Sequence, residues 1–145
     1  MKIKIVAIME EKIKHLEFVQ NVITRMNTNS FQLKGWAITI VSALLALYAS
    51  SDKVLYIFVA IVPVIIFWCL DSFYLKQERL YRKLYKDIVE DNGIQRFDMN
   101  ASKYEVCYCK VFWSKTIAGL YCTITILLLL LGLFLSFKNC VIVNC

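Results

Sequence analysis

A chain of 145 residues with 59% hydrophobic residues, 19% charged residues and one proline is too apolar for an ordinary soluble domain and too short for most two-domain architectures. Its net charge of +6 calls for anionic partners, whether lipid headgroup or phosphate. Four glycines and one histidine leave little material for catalysis: there is no G-x-x-x-x-G-K, no dinucleotide-binding glycine fingerprint, no serine nucleophile elbow and no His/carboxylate arrangement, so the chain is not expected to be an enzyme.

The N-terminal run "MKIKIVAIMEEKIKH" is broken by glutamates before it becomes long enough for a cleaved signal peptide. Apolar residues recur instead at Ile5, Ile8, Met9, Ile13, Leu16, Val19, Ile23 and Met26, between Glu10, Glu11, Lys14, Glu17 and Asn21, which predicts an amphipathic helix. Its mixed charge favours packing against protein over lying on a membrane surface. "MNTNSFQ", residues 26–32, is rich in Asn, Ser and Thr and reads as a break or cap before the next element.

Three charge-free windows follow, Trp36 to Ala49, Val54 to Leu70 and Thr116 to Phe137, and all three are expected to span a membrane. The 22 residues of the last make a helix of roughly 33 Å, enough to cross a ~30 Å hydrocarbon core. The first two need help from flanking residues, among them Lys34 and Ser72, at the interface. Of the 17 Lys and Arg, six precede the first window and nine lie between Lys76 and Lys115, with only Lys53 and Lys138 elsewhere. The positive-inside rule then puts the N-terminus inside and the C-terminus outside. The expected fold is an all-α integral membrane protein: residues 1–34 a cytoplasmic amphipathic helix and cap, 35–75 a transmembrane helical hairpin, 76–115 cytoplasmic helices, 116–137 the third span and 138–145 an outside tail.

The five residues Ala49 to Lys53 permit only an antiparallel hairpin. Lys34 and Asp71 are then about equally far from the turn and meet at one level, which predicts an ion pair clasping the hairpin, against two ends that snorkel separately. Pro63 is a hinge candidate within the second span. Gly35, Thr39, Ser42, Ala46 and Ala49 form one small-residue face, and Ala118, Cys122, Thr125, Gly132 and Ser136 another; each suits close helix packing or a pore shared between copies.

Nothing breaks the second helix between Phe73 and Glu90. Tyr74, Tyr81 and Tyr85 share one stripe there, and Lys76, Arg79, Lys83 and Lys86 share another, with Arg82 nearby. The basic stripe suits anionic headgroups, or it suits phosphate recognition with the tyrosines as stacking platforms, the combination found in single-strand nucleic-acid sites. Arg25, Arg79, Arg82, Lys83 and Arg96 converge if the N-terminal helix packs on this extension. Asn92-Gly93 marks a turn, and a return helix is expected from about Ala101 into the third span. Cys107-Tyr108-Cys109 lacks zinc-finger spacing and His15 has no partner ligands nearby, so neither metal nor cofactor is expected. Cys69, Cys107, Cys109 and Cys122 are expected as free thiols, whereas Cys140 and Cys145 fall in a tail where a disulfide could form.

"FVQNVITRMNTNSFQLKGW", residues 18–36, and "FWCLDSFYLKQERLYRKLYKDI", residues 67–88, together resemble the SLATT-type small membrane effectors of bacterial nucleotide-signal anti-phage systems, over roughly residues 18–90. The matching pattern is R-M-x-x-N-S-F-x-L-K-G-W before the first span and L-D-x-x-Y/F-L-x-Q-E-R-L-x-R-x-L-Y after the second. The resemblance implies a homo-oligomeric, most simply tetrameric, inner-membrane pore of abortive infection. Its implied ligand is a nucleotide or short single-stranded DNA made by a cognate nucleotidyltransferase-like partner. Among other positions, the resemblance marks Arg25, Asn29, Arg79, Arg82 and Tyr85 for the ligand belt, and Lys34, Asp71 and Glu78 as structural, with Arg25 pairing to Glu78. The basic and tyrosine stripes add Tyr81, Lys83 and Lys86 to the candidate ligand belt, and the small-residue faces, outside the resemblance, give Thr39, Ser42, Ala46 and Thr125 as pore-lining or helix-packing. The alternatives are a non-conducting anchor that recruits a cytoplasmic partner and a scaffold that binds anionic lipid.

Overall fold

The computed structural model describes residues 2–143 apart from Asn92, Ile94 and Arg96. The expectations for Arg96 and Cys145 therefore lie outside the described residues, as does that for the Cys140 side chain. The described residues form an all-helical bundle in which three helices, Val6–Ser51, Leu55–Val89 and Lys115–Lys138, are long and apolar enough to cross a membrane.

The first helix, α1 (Lys2–Ser51), is a single element of 50 residues, about 75 Å long at 1.5 Å per residue. The break expected at residues 26–32 is absent. Asn, Ser and Thr cost only a few tenths of a kcal/mol each in a helix interior, and no Gly or Pro interrupts this run. On its N-terminal side Val19 and Ile23 are buried, and on its C-terminal side Ala37 and Val41 are buried, so packing carries the helix through the polar stretch. Ser30, which could have capped a new helix, gives its hydroxyl to Asp71 instead.

The chain reverses at Asp52, whose φ of +52° ends α1 in the left-handed region while its N–H donates to Tyr48 O at 2.8 Å. A short helix, α2 (Leu55–Val59), is followed by α3 (Ile61–Val89), with the interruption at Ala60. Pro63 accounts for it: the residue has no N–H to offer the Val59 carbonyl, and its ring crowds that oxygen. From there α3 runs unbroken for 29 residues, through Asp71 and the whole basic stripe.

The return differs from the expectation of a helix starting near Ala101. Asp98 Oδ1 accepts the Asn100 N–H at 2.9 Å, and Asn100 Oδ1 accepts both the N–H and hydroxyl of Ser102, at 2.9 and 2.6 Å. These side-chain turns satisfy backbone donors outside a helix and hold the segment extended across α3. Helix resumes only as the short α4 (Tyr108–Phe112), ends at Trp113, and restarts as α5 (Lys115–Val143), where Ser114 O accepts from Ile117 and Ala118. Helix α5 thus continues past Phe137 into the segment expected to be a tail.

Two apolar clusters hold the bundle. One joins Ala37 and Val41 of α1, Ile57 of α2, Val64 and Trp68 of α3, and Ile117, Tyr121 and Leu128 of α5. The other joins Val19 and Ile23 of α1 to Leu80, Leu84 and Ile88 of α3, closed by Ala101 of the return segment. Along α1 and α3, the polar residues Ser30, Lys34, Asp71 and Ser72 fall between the two.

Candidate functional site

Asp71 and Ser72 are fully buried, an expensive placement for a carboxylate unless charge and hydrogen bonds compensate it. The compensation comes from one turn of α1. Ser30 Oγ donates to Asp71 Oδ1, and Lys34 Nζ lies 2.6 Å from Asp71 Oδ2. Nζ also donates to Ser30 Oγ at 2.8 Å and reaches Ser30 O at 3.4 Å. Ser30 and Lys34 are four residues apart, so helical geometry stacks them on the face that meets α3. The Lys34 side chain keeps 23% of its surface exposed while Asp71 keeps none.

Helix α5 packs close to the same level of α3. Tyr121 is fully buried and stacked on Trp68, three residues before Asp71, and its hydroxyl has no hydrogen-bond partner of ordinary geometry among the described residues. Trp68 fixes the level of this contact: its ring stacks on Phe112 at 4.4 Å and on Tyr121 at 6.1 Å, and its Nε1 donates to Phe112 O at 3.1 Å. Ser72 is satisfied by donating to Trp68 O at 2.8 Å. Asp71 therefore ties α1 to α3 about one turn from the level at which α5 packs on Trp68.

One and a half turns further along α3 from Ser72, Glu78 is buried and accepts from Arg82 Nε and Nη2, both at 2.7 Å, so its partner is Arg82 and not Arg25. Beside it Arg79, Arg82, Lys83 and Lys110 line an open cleft of about 590 Å³ with Glu105, Val106 and Cys107. Lys83 fastens its far wall by donating to Glu105 O at 2.7 Å. Four cations against Glu105 and the Arg82-paired Glu78 leave this cleft electropositive, and a guanidinium such as that of Arg79 can grip phosphate oxygens in bidentate fashion. The exposed Cys107 thiol is held below the ordinary thiol range, chiefly by the Lys110 and Cys109 backbone amides, with the Lys110 charge adding to them.

The remaining expected ligand residues do not converge on this cleft. Tyr81 borders a second cleft of about 700 Å³ with Lys76, Gln77 and the return segment. Tyr85 faces Ile13, Leu16 and Gln20 of α1, and Arg25 stands with Phe18, Val22 and Met99. Lys86 lies 3.6 Å from Glu90, and Asn29 is half-buried on α1. Lys110 and Glu105 went unmarked in the sequence because the residues that precede the third span carry no periodic signal. The role of Ser30 was open to discovery through its spacing of four from Lys34.

The two small-residue faces part ways. On α5, Ala118 and Cys122 pack against the apolar cluster and Gly132 lies against the Phe58 ring, while Thr125 turns back to Tyr121 O at 2.8 Å. On α1, Gly35, Thr39, Ser42, Ala46 and Ala49 all stay exposed, with Thr39 bonded to Gly35 O at 3.0 Å. His15 is buried with Nε2 3.0 Å from Asp98 O, which makes it a tie between α1 and the return segment. No group of three or more His, Cys, Asp or Glu able to hold a metal ion occurs among the described residues. The chain matches no family model, no curated protein and no solved structure.

Proposed function

We propose that the protein is a homo-oligomeric channel of the bacterial inner membrane, N-terminus inside and C-terminus outside, that a nucleotide or short single-stranded DNA gates from the cytoplasmic side. The observation that carries this reading is the basic cleft's position astride two spans. Arg79, Arg82 and Lys83 belong to α3, the same unbroken helix that contains the second span, while Lys110 belongs to α4, joined to the third span only through Trp113 and Ser114. A phosphate chain that bridges the two walls draws these spans together. It biases the membrane region as far as its affinity differs between the two arrangements. The resemblance of residues 18–36 and 67–88 to SLATT-type effectors supports a role in abortive infection, with the ligand supplied by a nucleotidyltransferase partner.

Conduction is tested by reconstituting purified protein in liposomes and following ion flux with and without short oligodeoxynucleotides. A ligand-dependent flux that falls at least tenfold in Arg79→Ala/Arg82→Ala and in Lys110→Ala is expected. No flux in either condition, with oligonucleotide binding intact, would replace the channel with a membrane anchor. Binding only to anionic liposomes, indifferent to oligonucleotide, would make the cleft a headgroup site.

A further inference from the structure

Among the cysteines whose side chains are described, Cys69, Cys107 and Cys109 are exposed and Cys122 is half-buried, but their surroundings set them apart. Cys69 lies in the apolar window of α3, and Cys122 packs against the apolar cluster at Trp68 and Tyr121. Cys109 stands on α4 and borders neither of the clefts beside it. Cys107 lines both, the basic one with Arg79, Arg82, Lys83 and Lys110 and its neighbour with Lys76 and Tyr81. Its place is fixed from both sides along the chain. Lys83 donates to Glu105 O at 2.7 Å and the Tyr108 hydroxyl to Cys69 O at 2.8 Å, which fastens the residues around Cys107 to α3.

The cations of the basic cleft are not all committed. Arg82 is paired with Glu78 and Lys83 is held by Glu105 O, whereas Arg79 and Lys110 form no ion pair among the described residues. Their charge is left for an incoming group. Positive charge beside a thiol favours the thiolate, the nucleophile of disulfide exchange, and also draws anionic reagents to it. The titration of Cys107 agrees in direction, since the Lys110 amide above all holds the thiol below its ordinary range.

We propose that Cys107 is a modification site that forms a mixed disulfide with small anionic disulfides, whose carboxylates the cleft's cations attract, and that the adduct closes the cleft to a phosphate ligand. The Cys107 thiolate attacks one sulfur of the reagent. A new S–S bond forms to Sγ, the reagent's own S–S bond breaks, and its other half leaves as a thiolate that takes a proton from solvent. Cys107 is oxidised and the departing half reduced, so no further oxidant is needed, and a free thiol reverses the exchange. The closure rests on the nucleotide reading above; the modification does not.

The test exposes full-length, reduced protein in detergent to glutathione disulfide, which is anionic, and in parallel to cystamine, which is cationic. Mixed disulfides are then counted at each cysteine by peptide mass spectrometry. Glutathione disulfide is expected to modify Cys107 roughly tenfold faster than Cys109, and cystamine to show no such preference. In Arg79→Gln/Lys110→Gln the ratio of the two reagents' rates at Cys107 should fall roughly fivefold, a ratio in which any change of thiolate fraction cancels. Arg79→Gln alone should move it the same way without altering α4. Equal glutathione disulfide rates at Cys107 and Cys109, or a reagent ratio that these substitutions leave unchanged, would overturn the site. The modified protein should bind a short oligodeoxynucleotide roughly tenfold more weakly than the reduced protein, with dithiothreitol restoring the affinity. Full modification with binding unchanged would overturn the closure. No binding by the reduced protein, with the rate pattern intact, removes the nucleotide reading and the closure with it, and keeps the modification site.

Discussion

At the scale of single residues, polar groups here either sit between packed elements or tie the return segment to the bundle. Tyr104 belongs to the second kind. Its hydroxyl donates to Asp87 Oδ2 at 2.6 Å, and burial, that bond and the charges of Asp87 and Asp98 together hold the phenol well above its ordinary range. The sign of the consequence is fixed by linkage. Above about pH 10 the unfolded chain releases this proton while the folded chain retains it, so the unfolded state binds fewer protons and stability falls as pH rises. The contribution is complete below pH 10 and is lost through the alkaline range. Chemical denaturation followed from pH 8 to pH 11.5 should show this decline in the native protein, and a flatter profile in Tyr104→Phe. Equal slopes would mean that the Tyr104–Asp87 bond does not hold the return segment in solution.

At the scale of elements, glycine positions separate helix surface that is packed within the chain from surface that is not. A Cβ at Gly132 would stand 3.0 Å from the Phe58 ring and 3.5 Å from Ile57 Cγ2, whereas one at Gly119 would meet nothing within 4 Å. Gly119→Ala is therefore expected to stabilise α5 by about 0.5–1 kcal/mol through helix propensity alone. Gly132→Ala should lose that gain or reverse it, because the Phe58 ring has to move. Thermal melts of the two variants decide this, and equal gains would place α2 further from α5 than described. The same elements show what the sequence could reveal. The three apolar windows, the long second helix and the levels of Lys34 and Asp71 were legible because each rests on composition, on the absence of breakers or on a short turn that fixes register. The continuity of α1 was not, since a polar stretch that looks like a cap locally is overridden by Val19, Ile23, Ala37 and Val41 packing on either side. Nor was the division of the ligand belt: a stripe on one helix does not say which of its members a neighbouring segment covers, and here the return segment puts Lys110 into the cleft while Tyr85 and Arg25 face elsewhere.

At the scale of the whole molecule, the spans are mostly open to their surroundings: only 11% of the most apolar stretch of α1 is buried, against 28% for the second span and 22% for the third. Among the described residues the three long helices close on one another around Trp68 and Tyr121, so the channel proposed above calls for several copies around an axis. The face offered for that purpose is that of α1, where Gly35, Thr39, Ser42 and Ala46 are exposed and a Cβ at Gly35 meets nothing within 4 Å. Small residues let helices approach closely in a membrane, where apolar bulk gives no advantage over lipid. Enlarging them should therefore act between chains and leave each chain's fold alone. Gly35→Leu/Thr39→Leu is expected to keep the helix content and melting behaviour of the single chain while cross-linked oligomers collapse to monomer and ion flux disappears. The matching substitution on α5, Thr125→Leu, enlarges a half-buried side chain and should lower thermal stability as well. If Gly35→Leu/Thr39→Leu leaves the oligomer intact, the copies meet through another surface and the α1 face is lipid-exposed. If it unfolds the chain, α1 packs internally more closely than its open face implies. Only loss of assembly with the fold retained joins the exposed face of α1 to a pore built by several copies.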